Sequence, residues 1–508
     1  MFSNIVGNII VDSNCTKLKV EYSRKPNIEM INLVGVSEKN KNEINKILSP
    51  LLNKFYCQRN LVDYLIKVNS FYRKIGYPFA EIERIDFDKR KKELTIAFDE
   101  GIVNKIVVAG NELSRTPLVM RELAIAQNEY LTSDGLAKSL ENLRTTGLFN
   151  SVDINILKEN GLNIVKVNVE DKLTGIIRLG LKIDNERYLQ PSIDIRNENL
   201  FGSGTEFGIH FFGGLRNQLF LIEHKANRIF DTYLTYKLKA YYDSKNIYTY
   251  SDDVSVDENS FSSTRDGEYN QTIWGFSAGL GMQTGKFGNL ISEFRYERNE
   301  VNNIDGEIVS PYVLDVAAFR FSMKIDTQDK YPYPNSGTLL NTYYETSQKF
   351  LGADESYIKY ALQYRGYFTI EKAHTIIPRF EIGFADVTLP LSQQFSFGGQ
   401  YSFWGYNEDE FRGRQIIIGS LAYRYKLPIK IWFDTYVSAL YNIGSIWERK
   451  EEMKLKTFKH AVGLMVSWDT PIGPADFGLG RSFLINKGLE QIVVKGDPIL
   501  YFSVGYFF

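Results

Sequence analysis

Residues 173–508 alternate between apolar and polar side chains in stretches of about ten residues, and this pattern constrains the fold more than any other feature. Clusters of Gly, Asn, Asp and charged residues separate the stretches. In the first stretch one face carries Ile177, Leu179, Leu181 and Ile183, and the other carries Arg178, Gly180 and Lys182. Because neighbouring side chains of a strand point to opposite faces, the alternation predicts β-strands with one bulky face and one more polar face.

Composition leaves two classes of β-protein open. No run of about 18 apolar residues exists, which excludes a transmembrane helix. A soluble β-rich protein and a membrane barrel both fit the 14% aromatic content, since barrel strands keep mean hydropathy low. The 60 basic residues balance the 61 acidic residues, so we expect no polyanion-binding surface and no nucleic-acid partner.

We expect the alternating region to close into a barrel if it lies in a membrane. Hydrocarbon offers no water to satisfy backbone N–H and C=O groups, so an open sheet edge there is too costly. At about 21 residues per strand and connection, its 336 residues predict roughly 16 strands. Residues 252–270 are rich in Ser, Asp and Glu, which predicts an external loop. The alternative is a large soluble β-sandwich or propeller, although no propeller repeat of about 40–50 residues is visible.

The first third of the chain contains a β-α-α-β-β unit that repeats with a period of about 70 residues. The first copy begins with an apolar strand at residues 28–36 and ends with a strand near residues 93–98. The second copy begins at Val103 and ends with a strand near residues 163–169. Helical spacing of apolar residues lies between the strands of each copy.

These patterns divide the chain into four predicted regions. The regions are the tail of an earlier unit at 1–26, α+β domains at 27–101 and 102–172, and the barrel at 173–508. The chain therefore opens in mid-domain, and its first 15 residues have no basic segment, apolar core or cleavage site typical of an export signal. We expect the true start of an exported protein to lie upstream.

The sequence offers no catalytic, cofactor-binding or metal-binding site. Cys15 and Cys57 can form at most one pair, and the four His residues are scattered without metal-ligand spacing. A serine hydrolase of the nucleophile-elbow type needs Gly-x-Ser-x-Gly, and residues 201–205 (FGSGT) have the wrong spacing. We therefore predict a protein that is not an enzyme and needs no cofactor.

Each repeat ends its helical part in a similar segment, at residues 76–80 (GYPFA) and 147–152 (GLFNSV). Together with the order of elements, these segments resemble the POTRA (polypeptide-transport-associated) domain. The resemblance implies periplasmic domains whose exposed sheet edges capture unfolded proteins by strand addition.

Three segments of the barrel region carry a second resemblance. One contains Gly398, Gly399, Trp404, Gly405, Tyr406 and Arg412. Another contains Asp469, Pro471, Gly473 and Pro474. At the C-terminus one face carries Phe502, Val504, Tyr506 and Phe508. In this order they resemble the inward-folded loop and late-strand signature of the bacterial surface antigen family, and the C-terminal signal by which outer-membrane barrels are recognised. That family includes BamA- and TamA-type assembly proteins and two-partner secretion transporters.

Trp404 departs from the family pattern. The family loop usually has an Arg here, which is thought to pair with acidic groups inside the barrel, so this ion pair cannot form at Trp404 and we expect Trp404 to pack in the lumen. Arg412 and Arg414 are nearby basic residues that could reach the same wall. Gly405 would permit a tight backbone turn. The loop segment around Trp404 also resembles that of the barrels in patatin-like phospholipase fusions. In such a fusion the lipase domain would lie upstream of this chain.

The resemblance implies a barrel of about 16 antiparallel strands in the bacterial outer membrane, with the repeats in the periplasm. The implied function is insertion or translocation of proteins, with outer-membrane lipids, unfolded outer-membrane proteins and periplasmic assembly factors as partners. The first and last strands, near residues 176–183 and 500–508, would form a weak seam. Two alternatives stay open: a non-catalytic anchor and translocator of a fused patatin-like lipase, and a passive pore.

Overall fold

The computed structural model describes most of the chain. The described residues are 2–12, 15–24, 26–229, 232, 234–255, 260–284, 288–430, 432–485 and 493–506, with only the backbone described for 2–24, 252–255 and 284. The chain forms two compact units, Met1–Leu173 with Phe201–Ser203 and Thr174–Leu200 with Gly204–Phe508.

The first unit contains a hairpin and two copies of one fold. The hairpin pairs β1 (Phe2–Asp12) with β2 (Cys15–Arg24). The first copy consists of β3 (Met30–Val34), α1 (Glu38–Leu48), α2 (Gln58–Lys74), β4 (Glu81–Asp88) and β5 (Glu93–Asp99). The second copy consists of β6 (Lys105–Ala109), α3 (Thr116–Met120), α4 (Ser133–Thr145), β7 (Phe149–Glu159) and β8 (Leu162–Asp171). The predicted β-α-α-β-β order is confirmed.

In each copy the final strand lies in the middle of a three-stranded sheet. β5 pairs in parallel with β3 and antiparallel with β4, and β8 pairs with β6 and β7 in the same two ways. Helix α2 buries one side chain per turn: Leu61, Leu65, Val68 and Tyr72. This stripe packs in one core with Leu94, Ile96 and Phe98 of β5. Burial of the stripe holds the helix on the sheet. Within each sheet the two outer strands pair on one side only.

The second unit is a closed barrel of sixteen strands. The first eleven are β9 (Gly175–Asp184), β10 (Tyr188–Asn197), β11 (Thr205–Gly213), β12 (Asn217–Ala226), β13 (Leu234–Ser255), β14 (Ser260–Thr284), β15 (Gly288–Asp305), β16 (Tyr312–Asp326), β17 (Ser336–Ser347), β18 (Tyr357–Ile370) and β19 (His374–Ala385). Two short strands outside the wall, β20 (Phe395–Phe397) and β21 (Phe411–Gly413), pair with each other. The wall continues with β22 (Gln415–Lys426), β23 (Asp434–Trp447), β24 (Lys459–Thr470), β25 (Gly473–Ile485) and β26 (Val493–Gly505). Neighbouring wall strands are antiparallel, as predicted.

The two faces of the wall have the expected chemistry. The bulky side chains point outward, and Ile177 and Leu179 of β9 are 69% and 72% exposed. Alternate residues point into the lumen, where Tyr501 and Ser503 of β26 are buried. An apolar outer face and a polar, hydrogen-bonded interior suit strands between lipid and an enclosed lumen. Among the described residues, no helix is long and apolar enough to cross a membrane.

Residues 252–270 form strands over their described part, so the prediction of a loop there is wrong, while their external position stays a prediction. Strand β13 continues to Ser255 and β14 begins at Ser260, so that two of the longest strands extend through most of this polar segment. Their backbones pair up to Ser255 and Ser260, with one register shift between Thr249 and Tyr250. A ladder that lies beyond the apolar band needs no apolar face, because the backbone hydrogen bonds of the two strands satisfy each other.

Candidate functional site

The connection between β19 and β22, residues 386–414, folds into the barrel and is called the inward loop below. One end is held by Gln393, whose side-chain amide donates to Glu297 Oε2 (3.0 Å) and Asn299 Oδ1 (3.2 Å) of β15. Lys359 Nζ of β18 donates to the carbonyl of Gln393 at 2.6 Å. All four side chains are buried, so this end of the loop is fixed to the wall at β15–β18.

Trp404 at the tip of the inward loop lies against the opposite part of the wall. Its ring centroid is 4.8 Å from that of Tyr501 in β26. The indole also occupies a slot formed by three glycines of β24 and β25, where an added Cβ would come within 2.4 Å of the indole at Gly463 and Gly478 and 3.1 Å at Gly480. Trp404 is therefore packed in the lumen, as the sequence predicts.

Gly405 and Tyr406 continue the same contact. Gly405 has φ +77°, and a side chain there would come within 2.4 Å of the backbone nitrogen of Ser482. The N–H of Gly405 donates to the hydroxyl of Tyr501 at 2.8 Å, and this hydroxyl donates to the carbonyl of Tyr406 at 2.8 Å. Glycine is thus required here both for the left-handed backbone and for the close approach to the wall.

Gly398 and Gly399 form the turn at the start of the tip. Both have positive φ, +128° and +85°, and a Cβ on Gly398 would meet the carbonyl oxygen of Asn407 at 2.0 Å. The N–H of Gly399 donates to the carbonyl of Tyr406 at 2.9 Å. The two glycines therefore close the tip on itself and set the position of Trp404.

Arg412 and Arg414 do not reach the wall beside Trp404. Arg412 Nη1 donates to Gln271 Oε1 of β14 at 3.2 Å, and Arg414 pairs with Glu448. The loop instead carries an acid that pairs with a basic residue of the β9–β10 turn. Arg187 Nε donates to Glu408 Oε1 (2.9 Å) and Oε2 (2.8 Å), and Nη2 forms a salt bridge with Oε1 at 2.6 Å. Arg187 follows β9, so the polarity of this contact is opposite to that of the family pair.

The junction between β26 and β9, called the seam below, has the shortest pairing in the wall. Among the described residues, which end at Tyr506, three residue pairs join the strands, between Lys182–Asp184 and residues 503–505, against ten between β9 and β10. The side chain of Asn185 extends the seam, because its Nδ2 donates to the carbonyl of Leu500 at 2.9 Å and its Oδ1 accepts from the N–H of Phe502 at 2.9 Å.

The inward loop spans the seam from inside. The hydroxyl of Tyr401 donates to Ser503 Oγ of β26 at 2.9 Å, while Lys182 Nζ of β9 lies 4.5 Å from the Tyr401 ring centroid. The side-chain amide of Gln400 also donates to Ser503 Oγ at 3.1 Å. One loop therefore contacts both strands of the seam and crosses the lumen to the far wall.

The late-strand motif lies beside the chain end. Asp469 and Pro474 are register partners at the turn between β24 and β25, and Pro471 lies within this turn. Gly473 has φ +120°, and a Cβ there would lie 2.4 Å from the carbonyl carbon of Gly505. The motif therefore lets the turn approach the end of β26.

The C-terminal motif continues along β26. Phe502 points outward and pairs with Phe477 of β25, while Val504 is a seam residue opposite Ile183. The Tyr506 ring centroid lies 6.2 Å from that of Tyr331. Phe508 lies outside the described residues.

Sequence reasoning missed the partners of these motifs. Tyr501, Gly463, Asn185 and Arg187 were not singled out, although the run Phe477-Gly478-Leu479-Gly480 shows two small lumen-facing positions two residues apart. Spacing of this kind signals a slot in a barrel wall. The partners of Glu408 and Asn185 leave no local signal, since they lie more than 200 residues away in the chain.

The chain was compared with curated proteins and solved structures. It is 25% identical over 478 residues to the outer membrane protein assembly factor BamA of Nitratidesulfovibrio vulgaris, covering 87% of this chain and 56% of that protein. It is 18% identical over 418 residues to BamA of Neorickettsia risticii, covering 77% of this chain and 54% of that protein. The chain thus spans about half the length of the curated relatives it matches.

Solved structures share the fold. BamA from Haemophilus ducreyi lacking POTRA domains 1–3 aligns with a TM-score of 0.67 at 16% identity, over 94% of this chain and 99% of that one. CdiB from Acinetobacter baumannii aligns with a TM-score of 0.52 at 13% identity, over 96% and 91%. Among family models, the surface antigen variable number repeat (POTRA) matches residues 102–172. The Omp85 superfamily domain matches residues 199–508, and the chain therefore belongs to the Omp85 superfamily.

Proposed function

We propose that this chain assembles proteins into the bacterial outer membrane, or moves them across it, by opening the seam between β9 and β26. The observation that carries the proposal is the seam itself, which has three described residue pairs, against six between β10 and β11 and ten between β9 and β10. Each backbone hydrogen bond contributes about 1 kcal/mol net, so separating these strands is far less costly than separating any fully paired neighbours. The relatives named as assembly factors support this function.

The repeats would supply clients to the barrel from the periplasm. Their edge strands β3, β4, β6 and β7 each leave one side of the backbone unpaired within their own sheet. An extended client can add to such an edge by main-chain hydrogen bonds, with little dependence on sequence. Outer-membrane proteins are rich in extended segments before they fold, and periplasmic assembly factors could use the same edges.

The inward loop argues against the passive pore. It is fixed to the wall at β15 by Gln393 and to the wall at β24–β26 by Trp404, so it crosses the lumen. A segment that crosses the lumen narrows the path for solutes, which favours action through the wall over passive diffusion.

A disulfide across the seam tests the proposal. Ile183 and Val504 are register partners, so cysteines at both positions would join the strands in a background with Cys15 and Cys57 replaced by Ser. The chain is refolded into lipid vesicles, and folding of an unfolded outer-membrane barrel client is followed by its heat-modifiable band on gels. We expect the oxidised variant to lose client insertion and to recover it on reduction.

The matched control places the disulfide one strand away. Leu179 and Ile193 join β9 to β10, which already share ten residue pairs. Oxidation of Leu179→Cys with Ile193→Cys should leave insertion unchanged. Equal activity of the oxidised and reduced seam variants would overturn the proposal, as would a steady ion current through the wild-type barrel in a planar bilayer.

A fused patatin-like lipase stays a prediction from the resemblance at Trp404. If a lipase is fused to this chain, the barrel would anchor or translocate that one passenger, and the residues of this chain would remain non-catalytic. The coding sequence upstream of Met1 decides between them: a Gly-x-Ser-x-Gly domain would favour the fused passenger, and further POTRA units would favour a general assembly factor.

A further inference from the structure

We propose that the end of the β13–β14 hairpin is a detachable cover for the seam edge of β26. The cover hairpin is defined by residues 251–255 and 260–264. It rests on the proposed function, because it describes how the edge used in assembly is kept closed. Its position is set by contacts with β26 and with the inward loop, both far from it in sequence.

The first observation is a strand pairing that lies outside the barrel order. Ser260 and Phe261 of β14 pair in parallel with Lys495 and Gly496 of β26. The other edge of β26 is occupied at this level by β25, where Phe483 pairs with Lys495. The cover hairpin therefore pairs with the same edge of β26 that faces β9 at residues 503–505. It continues the pairing of this edge beyond the end of β9.

The second observation is a single aromatic side chain at the contact. Phe261 is 4% exposed, and its ring stacks near that of Tyr406 with centroids 6.3 Å apart. A Cβ on Gly496 would come within 2.8 Å of the Phe261 ring, so glycine at this position is what allows the ring to lie against β26. Phe261 thus acts as the anchor of the cover hairpin.

The third observation connects the cover to the inward loop. Ser263 Oγ donates to Glu410 Oε1 at 2.8 Å, and Glu410 also accepts from the N–H of Asn407 at 2.7 Å. The loop residues beside Trp404 are therefore held between β26 and the cover hairpin. Movement of the cover hairpin would therefore disturb the loop residues beside Trp404, and movement of these residues would disturb the cover hairpin.

The composition of the segment explains why the cover can detach. Phe261 is the only aromatic residue between Tyr250 and Tyr269, and the rest of this stretch is mainly Ser, Thr, Asp, Glu and Asn. Detachment exposes the buried ring of Phe261 but little other apolar surface of the hairpin, because the rest of the hairpin is polar. An unpaired strand edge invites wrong pairing with other chains, so a removable cover protects the edge between clients.

The test uses two disulfides in the background without Cys15 and Cys57. Ser260→Cys with Lys495→Cys joins the cover to β26, because these residues are pairing partners. Ser251→Cys with Thr264→Cys joins only the two strands of the hairpin and leaves it free to move as a unit. We expect the first disulfide to lower client insertion about tenfold with recovery on reduction, and the second to have no effect.

A measurement without client separates this inference from the proposed function. Phe261→Ala is combined with Ile183→Cys and Val504→Cys, and the yield of the seam disulfide is compared with that of the same pair carrying native Phe261. We expect the cross-link to form about tenfold more slowly when the anchor is removed, since its rate follows the closed fraction and the seam would then be closed only about one-tenth of the time. Heat-modifiable migration confirms that the variant barrel is folded.

Failure of the cover and failure of the assembly function give different results. A slower seam cross-link in Phe261→Ala, with no client insertion by either the reduced or the oxidised protein, would keep the cover and overturn the assembly function. An unchanged seam cross-link in Phe261→Ala, together with full insertion by the oxidised Ser260→Cys and Lys495→Cys variant, would overturn the cover and leave the assembly function standing.

Discussion

The last strand of the barrel is held in different ways along its two edges. On one side β26 pairs with β25 over ten residue pairs. On the other it pairs with β9 over three, and the side chains of Asn185 and Tyr401 supply further contacts to it. A long ladder opens as one cooperative unit, whereas discrete side-chain contacts can be released one at a time. The comparison indicates where a closed barrel can open without losing its fold.

Trp404→Ala tests the well-paired side and should have the largest effect. The indole occupies the slot formed by Gly463, Gly478 and Gly480, so its removal leaves a cavity that glycines cannot fill. We expect a loss of about 3–5 kcal/mol in the free energy of unfolding, measured by urea titration in vesicles. The control Phe350→Ala removes an aromatic ring that is 83% exposed and should change little. Equal stability of both variants would remove Trp404 from its structural role.

The ion pair between Arg187 and Glu408 tests the contact of the seam side with the inward loop. Both side chains are mostly buried, at 25% and 20% exposed, and they meet through two hydrogen bonds from Arg187 Nε and a salt bridge from Nη2. A double-mutant cycle with Arg187→Ala and Glu408→Ala should give a coupling energy of about 1–3 kcal/mol. The exchanged pair, Arg187→Glu with Glu408→Arg, should recover part of it. A coupling near zero would mean that the loop is held by its aromatic tip alone.

Asn185→Ala tests the side-chain rung of the seam directly. Its amide makes two hydrogen bonds to the backbone of β26, each of which contributes about 1 kcal/mol. We expect a slower disulfide between Ile183→Cys and Val504→Cys, with no change in the cross-link between Leu179→Cys and Ile193→Cys. If both cross-links slow equally, the substitution has loosened the whole barrel and the seam is not a separate element.

The sequence predicted the fold well because its signals are local. A period of two residues shows in any ten-residue window, so the strands, their faces and the closed barrel followed from it. The polar composition of residues 252–270 misled the prediction, since this strand hairpin has the composition of a loop. The motif at Trp404 was found by resemblance, but its glycine slot was not. Contacts such as Arg187 with Glu408 depend on barrel closure, which brings distant residues together.

Side chains also connect the two repeats of the first unit, as they connect the strands of the seam and the inward loop with the wall. Lys158 of the second repeat forms a salt bridge with Asp99 of the first (Nζ–Oδ2 2.9 Å) and pairs with Glu81. Asn163 Nδ2 also donates to Asp99 Oδ2 at 2.8 Å. Burial raises the pKa of Asp99, but hydrogen bonds from Lys158 and Asn163 outweigh it and hold the pKa below its usual range.

The stability contributed by the contact between Lys158 and Asp99 should depend on pH. This effect should be the smallest of those predicted for the molecule. A carboxyl with a lowered folded pKa adds stability above its unfolded pKa of about 3.9 and loses it as the pH falls through the folded value. We expect Lys158→Met to destabilise the repeats by about 0.5–1 kcal/mol at neutral pH, because the pair is partly exposed. The difference from wild type should shrink as the pH falls below about 4, when Asp99 becomes protonated. Lys89→Met at the exposed turn after β4 is the control and should show no pH-dependent difference. A constant effect of Lys158→Met at all pH values would assign its contribution to packing of the alkyl chain. The contact between the repeats would then not depend on discrete charged side chains, in contrast to the side-chain contacts at the seam.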